Sequence, residues 1–226
     1  MVEHEYSTDV LPYDESMVAF FETLPELSLD RRLAAQYMAA VSLRKELELA
    51  EERAQYDDLT GLMRRSAFDQ EFQRHIDQQE AIAQKLQAES TELRHGDAER
   101  LGLVLINIDL DDFSEINNSL GHPVGDEALV RVAEVIGGSV RDHDIVCRNG
   151  GDEFLVLLNE GVDLMDVYGV ASRIREGLLD IQLAQQRGYV GASIGFSAFE
   201  PGMTIEDMIR EADEDMYVDK ASKQHR

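Results

Sequence analysis

The sequence predicts an α+β fold: a central sheet containing antiparallel strands, helices over one or both faces, and an N-terminal helical stalk. Three observations carry this. "LGLVLINID" (101–109) is a continuous apolar run, as expected of a strand buried on both faces. "DIVCRNGGDEFLVLL" (144–158) sets two glycines between apolar, β-branched runs, a strong hairpin signal. Stretches with helical spacing alternate with these, so the order from residue 101 reads β, α, β-hairpin, α, β, α.

Each element has its own reason. "DESMVAFFETL" (14–24) reads as a short amphipathic helix that "LPELS" interrupts. Residues 30–55 are rich in Ala, Leu, Glu and Arg and hold no Gly or Pro, which predicts a long helix. Leu33, Ala40, Leu47 and Ala54 fall seven apart, with Leu43 and Ala50 between them and a polar Gln36. Such a seam suits either pairing with a second copy or packing on the chain's own domain. A second helix is expected from Ser66 to about Leu93, with "RHGDAER" as a surface turn after it. "GDEALVRVAEVIGGSV" (125–140) has helical spacing and closes on glycines. "DLMDVYGVASRIREGLLDI" (163–181) is helical and "YVGASIGFSAF" (189–199) a strand. "TIEDMIREADEDMYVDKASK" (204–223) is a last amphipathic helix, with Thr204 as N-cap and acids in its first turn.

The 226 residues suit one good-sized domain with an extension, here divided as a stalk over 1–56 and a folded domain over 57–226. The net charge of −25 argues against nucleic-acid or anionic-membrane partners, which favour basic surfaces. No apolar run approaches a membrane span, and the acidic start is not a signal peptide. The single cysteine, Cys147, allows no intramolecular disulfide, which fits a cytoplasmic location.

The chemistry gathers at strand ends. Asp109 closes the apolar run, and Asp152 and Glu153 stand at the hairpin tip. If these strands are neighbours, three carboxylates converge at one edge of the sheet and repel one another unless a cation neutralises them. Hard oxygen donors suit Mg²⁺ or Mn²⁺, which keeps waters and bridges to substrate phosphates. Ions held this way support phosphoryl or nucleotidyl transfer. The bare glycine backbone would let a nucleotide approach closely.

Five motifs then bring a family into view. "GGDEF" (150–154) is the name motif of the GGDEF family, the diguanylate cyclases. "DDLTGLMRR" (57–65) resembles that family's opening motif, "DLDDFSEINNSLGHPVGDEAL" (109–129) its long central motif, "ASIGFS" (192–197) its A-S-I-G strand, and "ADEDMYVDK" (212–220) its last helix. The resemblance covers about residues 57–224 and implies a palm-like sheet, similar to that of nucleotidyl cyclases and polymerases. It also implies condensation of two GTP into cyclic di-GMP and two pyrophosphates.

Carried over by position, the resemblance makes Asp109, the Leu110 carbonyl, Asp152 and Glu153 the metal ligands. Asp152 and Glu153 are then also the catalytic acids that activate the 3′-hydroxyl. Coupled carboxylates leave the division of labour between those two open. Asn117 and Asp126 match the guanine-reading pair. A carboxylate can accept from guanine's ring N–H and exocyclic amino group, a donor pair adenine lacks. The Phe113 backbone and Lys220 match phosphate contacts. "RDHD" (141–144) matches an inhibitory product site, with Arg141 and Asp144 binding cyclic di-GMP and Arg173 as a third contact. His122 reads as a loop-packing residue.

The chain departs from the pattern at two places. Gln224 stands where a phosphate arginine is usual and Lys223 where glycine is usual, so Lys223 or Arg226 is the expected substitute. Arg64 replaces an asparagine of the opening motif. The expected function is a homodimeric, product-inhibited diguanylate cyclase, with a regulatory protein as a further expected partner of residues 1–56. The alternative is a weak or inactive receptor for GTP or cyclic di-GMP. A one-substrate cyclase making cyclic GMP shares the palm but not the inhibitory motif.

Overall fold

A strand apolar on both faces needs cover on both, and the fold is organised around that need. A computed structural model describes residues 29–88, 101–183 and 190–224. The elements are α1 (Leu29–Ala54), β1 (Met63–Arg64), α2 (Arg65–Ala88), β2 (Leu101–Asp111), α3 (Phe113–Leu120), α4 (His122–Ser139), β3 (Ile145–Gly150), β4 (Glu153–Val162), α5 (Leu164–Leu179), β5 (Gly191–Ala198) and α6 (Ile205–Gln224). The strands form a mixed sheet in the order β1-β3-β4-β2-β5. β2 is antiparallel to both β4 and β5, and β3 is antiparallel to β4.

Alternate residues of β2 serve two cores. Val104, Ile106, Ile108 and Leu110 pack in one cluster with Leu129, Val132 and Ile136 of α4 and Val167, Ile174 and Leu178 of α5. Leu103 and Leu105 belong to the other, with Phe68 and Phe72 of α2 and Met208 and Ala212 of α6. Each fully buried side chain of this size stabilises the fold by roughly 1.5–3 kcal/mol. Cys147 of β3 sits in the second cluster at 0% exposure, and burial pushes its thiol up to about 12, so it is a packing residue. Gly195 of β5 lets α6 approach closely, since a Cβ there would meet the backbone of Ala212 and Met216.

β5 lies at the edge of the sheet, and α6 covers its outward backbone. The N–H of Ile194 donates to Asp219 at 3.0 Å, and that of Phe196 to Asp215 at 3.1 Å. Thr204 caps α6, accepting at Oγ1 from the Asp207 N–H at 3.2 Å.

The chain divides into two compact units between Arg53 and Ala54. In the first, α1 spans 26 residues, and Leu33, Leu43 and Leu47 are exposed along it. The expected helix at 14–24 and the turn at 94–100 lie outside the described residues.

The structure adds two elements. β1 is only Met63–Arg64, paired in parallel with Cys147 and Arg148 of β3, too short to show a period. α3 is a separate two-turn helix whose Asn and Ser residues have low helical propensity. Gly121, at φ 87°, ends it, and α4 starts at His122 rather than 125, with Pro123 in its first turn.

Candidate active site

The antiparallel register sets two of the expected acids face to face. Asp109 is the cross-strand partner of Glu153, and the Leu110 N–H donates to the Asp152 carbonyl at 3.2 Å. The hairpin tip reaches this point because Gly150 and Gly151 take φ of 139° and 55°, which side chains resist. The acids thus stand on the rigid ends of β2 and β4, with a bare backbone beside them.

Helix α6 supplies the cations. Lys220 Nζ meets Asp109 Oδ1 at 2.5 Å. That hydrogen bond, with the charges of Asp109, Asp111 and Asp152, holds the ammonium above the usual lysine range. Lys223 contacts Asp111 at 3.0 Å, the Ala192 carbonyl at 2.5 Å, Ser193 Oγ at 3.2 Å and Asp219 at 3.2 Å. An ammonium has three protons, so Lys223 is already committed to tying α6 to β2 and β5. It does not stand free to replace the missing phosphate arginine, and Arg226 lies outside the described residues. Among the described residues, no group of three or more His, Cys, Asp or Glu side chains closes into a metal cage. The donor chemistry at Asp109 and Glu153 still fits Mg²⁺, which is usually held by one or two carboxylates together with waters and substrate phosphates.

A second cluster lies beyond the end of β2. Asp112 adopts φ 54° and opens α3, whose N-terminus carries no side-chain cap. Phe113 is 7% exposed, its ring in the core, so only its backbone is placed to meet a ligand. Uncapped N–H groups at a helix start suit phosphate. Asn117 of α3 packs on α4 at Gly125, the residue before Asp126, since a Cβ at Gly125 would clash with the Asn117 carboxamide oxygen. Gly125→Ala is therefore expected to displace the Asn117 carboxamide. The side-chain amide signal of Asn117 in an NMR spectrum checks this, and an unmoved signal would overturn the contact.

The sequence model described as "Diguanylate cyclase, GGDEF domain" matches residues 54–226. The chain belongs to the GGDEF family. The GGDEF domain is 34% identical over 138 residues to the diguanylate cyclase DosC of Escherichia coli K12, covering 60% of this chain and 30% of that protein. It is 34% identical over 170 residues to the cyclic di-GMP phosphodiesterase NbdA of Pseudomonas aeruginosa, covering 74% of this chain and 19% of NbdA. The chain thus spans less than a third of either relative. Among solved structures, the coiled coil and GGDEF domain of DgcB from Caulobacter crescentus, in complex with cyclic di-GMP, matches at TM-score 0.74 and 26% identity. That match covers 86% of this chain and 95% of that one. Diguanylate cyclase SiaD of Pseudomonas aeruginosa, in complex with its activator SiaC, matches at TM-score 0.63 and 28% identity, covering 92% of this chain and 76% of that one.

The opening motif braces the GGDEF hairpin. Asp57 Oδ1 accepts from the Thr60 N–H and hydroxyl at 3.0 and 2.8 Å and from Arg148 at 2.9 Å. Burial pushes the Asp57 carboxyl up, but these hydrogen bonds more than offset it and hold it below the usual range. Arg148 also donates to the Gly151 carbonyl at 2.8 Å, linking the motif to the tip. Arg65 donates to Asn149 at 2.8 Å, and Asn149 to Glu153 at 2.8 Å. Reading the sequence did not single out Arg65, Arg148 or Asn149. Their only signal was their place in the opening motif and beside the glycines.

The expected product-site residues of the GGDEF domain also come together. Arg141, Asp144 and Arg173 line one small pocket with Leu158, Asp166 and Val170. Arg141 pairs with Asp166 at 2.9 Å and is half exposed. The Asp144 side chain is 3% exposed, its carboxylate accepting from the N–H groups of Arg141 at 2.8 Å and Asn159 at 3.2 Å. Arg173 donates to the Ser139 carbonyl at 2.7 Å. Asp166 was missed from the sequence, although its capping box with Asp163 is legible at the start of α5.

Among the described residues, no helix is long and apolar enough to cross a membrane.

Proposed function

We propose that the chain is a diguanylate cyclase that condenses two GTP into cyclic di-GMP and two pyrophosphates. The observation that carries the reading is the register pairing of Asp109 with Glu153 beside a glycine tip bearing Asp152. Asp109, the Leu110 carbonyl, Asp152 and Glu153 would hold Mg²⁺ or Mn²⁺. The bound ion supplies charge neutralisation at the phosphates and a more acidic hydroxyl. Asn117 and Asp126 hold guanine at the far end. The Phe113 backbone at the start of α3 and the Lys220 ammonium receive the phosphates.

The chemistry occurs twice. The 3′-oxygen of one GTP attacks the α-phosphorus of the other, the bond to the β-phosphate breaks, and pyrophosphate leaves. The hydroxyl proton passes to the Asp152–Glu153 pair. One domain presents one such site, so two domains must face each other about a two-fold axis. The stalk seam of α1 is the proposed means of pairing. Residues 1–56 are also the proposed receiver for a regulatory protein, as SiaD takes an activator. A GTP substrate suits a cytoplasmic location.

The test is direct: purified protein, GTP and Mg²⁺, with products separated by chromatography and identified by mass. Cyclic di-GMP formation supports the reading. GTP that binds but survives overturns it in favour of a receptor. Two observations favour that second reading, Gln224 in place of the phosphate arginine and the full commitment of Lys223.

The pocket of Arg141, Asp144 and Arg173 is the proposed product-inhibition site. Arg141→Ala is expected to relieve inhibition by added cyclic di-GMP about tenfold or more, because a guanidinium offers both charge and a stacking plane. Initial rates at fixed GTP across a cyclic di-GMP series check this. Equal inhibition of parent and variant would remove the site.

A further inference from the structure

We propose that Arg65 and Asn149 form a relay that positions the catalytic carboxylate of Glu153, a role that rests on the cyclase reading. The chain of contacts is continuous. Arg65, the first residue of α2, donates through Nε to Asp69 Oδ1 at 2.6 Å and through Nη1 to Asn149 Oδ1 at 2.8 Å. Asn149 Nδ2 then donates to Glu153 Oε2 at 2.8 Å.

The chemistry of the two ends sets the direction of the middle. A guanidinium only donates, and an ionised carboxylate only accepts. A carboxamide between them therefore has one favourable orientation, oxygen toward Arg65 and amino group toward Glu153. Asp69 completes the arrangement by holding the guanidinium from its far side. Asn149 lies in β3 where the ladder with β4 is irregular between Arg148 and Gly150, so a side-chain contact adds order that the backbone pairing does not supply there. Glu153 faces Asp109 across the ladder, and each carboxylate has its own tether, Lys220 on Asp109 and Asn149 on Glu153. The relay keeps Glu153 aimed at the reacting hydroxyl. Arg65 and Asn149 touch neither substrate nor metal in this scheme, and they act only through Glu153.

The same arrangement ties the tip to the opening motif. Met63–Arg64, just before Arg65, pairs with β3 just before Asn149. A displacement of the opening segment is thereby delivered to a catalytic side chain through two hydrogen bonds.

The experiment compares the parent with Arg65→Ala, Asn149→Ala, the double variant, Asn149→Asp and Arg65→Lys in the full chain. Steady-state rates are measured with GTP and Mg²⁺, and the carboxyl carbon of Glu153 is followed by ¹³C NMR. Each alanine variant should lower kcat roughly ten- to hundredfold while KM stays within about twofold. The double variant should be no worse than the singles, because the residues act as one unit. Asn149→Asp should be worse than Asn149→Ala, since it sets a second anion against Glu153. Arg65→Lys should recover part of the loss, because it restores a donor. A rise in KM at unchanged kcat, additive losses, or parent-like turnover in Asn149→Asp overturns the relay. A parent that makes no cyclic di-GMP overturns the cyclase reading instead, and the NMR arm then decides the relay. A shifted Glu153 signal in both alanine variants upholds it, and an unmoved signal overturns it.

Discussion

Asp152→Asn is expected to lower cyclic di-GMP formation by about a hundredfold or more, equivalent to roughly 3 kcal/mol of lost transition-state stabilisation. The substitution keeps the shape of the side chain and removes its charge, so the loss falls on cation binding and proton acceptance. The fold should be untouched. The Asp152 backbone carbonyl accepts from the Leu110 N–H whatever the side chain. The side chain sits half-buried at a turn, outside both core clusters. Steady-state assays with Mg²⁺, paired with thermal melts, separate the two effects. Parent-like turnover in this variant would defeat the three-acid mechanism. A large fall in melting temperature would instead assign Asp152 to the scaffold.

The second large effect is expected from the stalk. Leu43 and Leu47 are 67% and 57% exposed on α1, one helical turn apart. Replacing both with lysine should leave each half-site whole and break the pairing of two chains. Turnover per chain should fall about tenfold or more at micromolar protein, while GTP affinity stays near that of the parent. In the parent, turnover per chain should rise with protein concentration. Light scattering and a dilution series of rates check both statements. A monomeric double variant that cyclises GTP at the parent rate when dilute would defeat the stalk's role and the facing-sites geometry together.

What the sequence revealed depended on how local the physics was. β2 was legible because burial on both faces leaves an unbroken apolar run, and the β3–β4 tip because glycines there take positive φ. The long helix α1 followed from a stretch without Gly or Pro. α3 was not legible, since Asn117, Asn118 and Ser119 favour helix weakly, and packing of Phe113, Ile116 and Leu120 on the core holds them in one. β1 could not be read from two residues whose partner strand lies far along the chain. The same division applies to the site. The family motifs pointed to Asp109, Asp152 and Glu153, but no spacing reveals that Asp109 and Glu153 share a rung of the ladder. The commitment of Lys223 was hidden because Asp111, Ala192 and Ser193 come from two separate strands. Arg65 and Asn149 were hidden for a related reason, as each is an ordinary polar residue until the fold brings them together.

The covered edge of β5 bears on how copies of the chain behave when crowded. An open strand edge is a template for another strand and a route to fibrils. Here Asp219 and Asp215 occupy the outward N–H groups of Ile194 and Phe196, and a visiting strand would have to displace a charged side chain at each. The opposite edge is β1, whose two residues offer almost no ladder. Among the described residues, both edges of the sheet thus offer little to a visiting strand. Acid would loosen the β5 edge. Burial pushes the Asp219 carboxyl up, but the Ile194 N–H and the Arg175 and Lys223 charges more than offset this and hold it below the usual range. The Asp219 contact contributes fully above the ordinary carboxylate pKa and fades as pH falls through the lowered one. Strongly acidic pH, rather than high concentration near neutrality, is therefore the condition under which this edge loses its Asp219 cover.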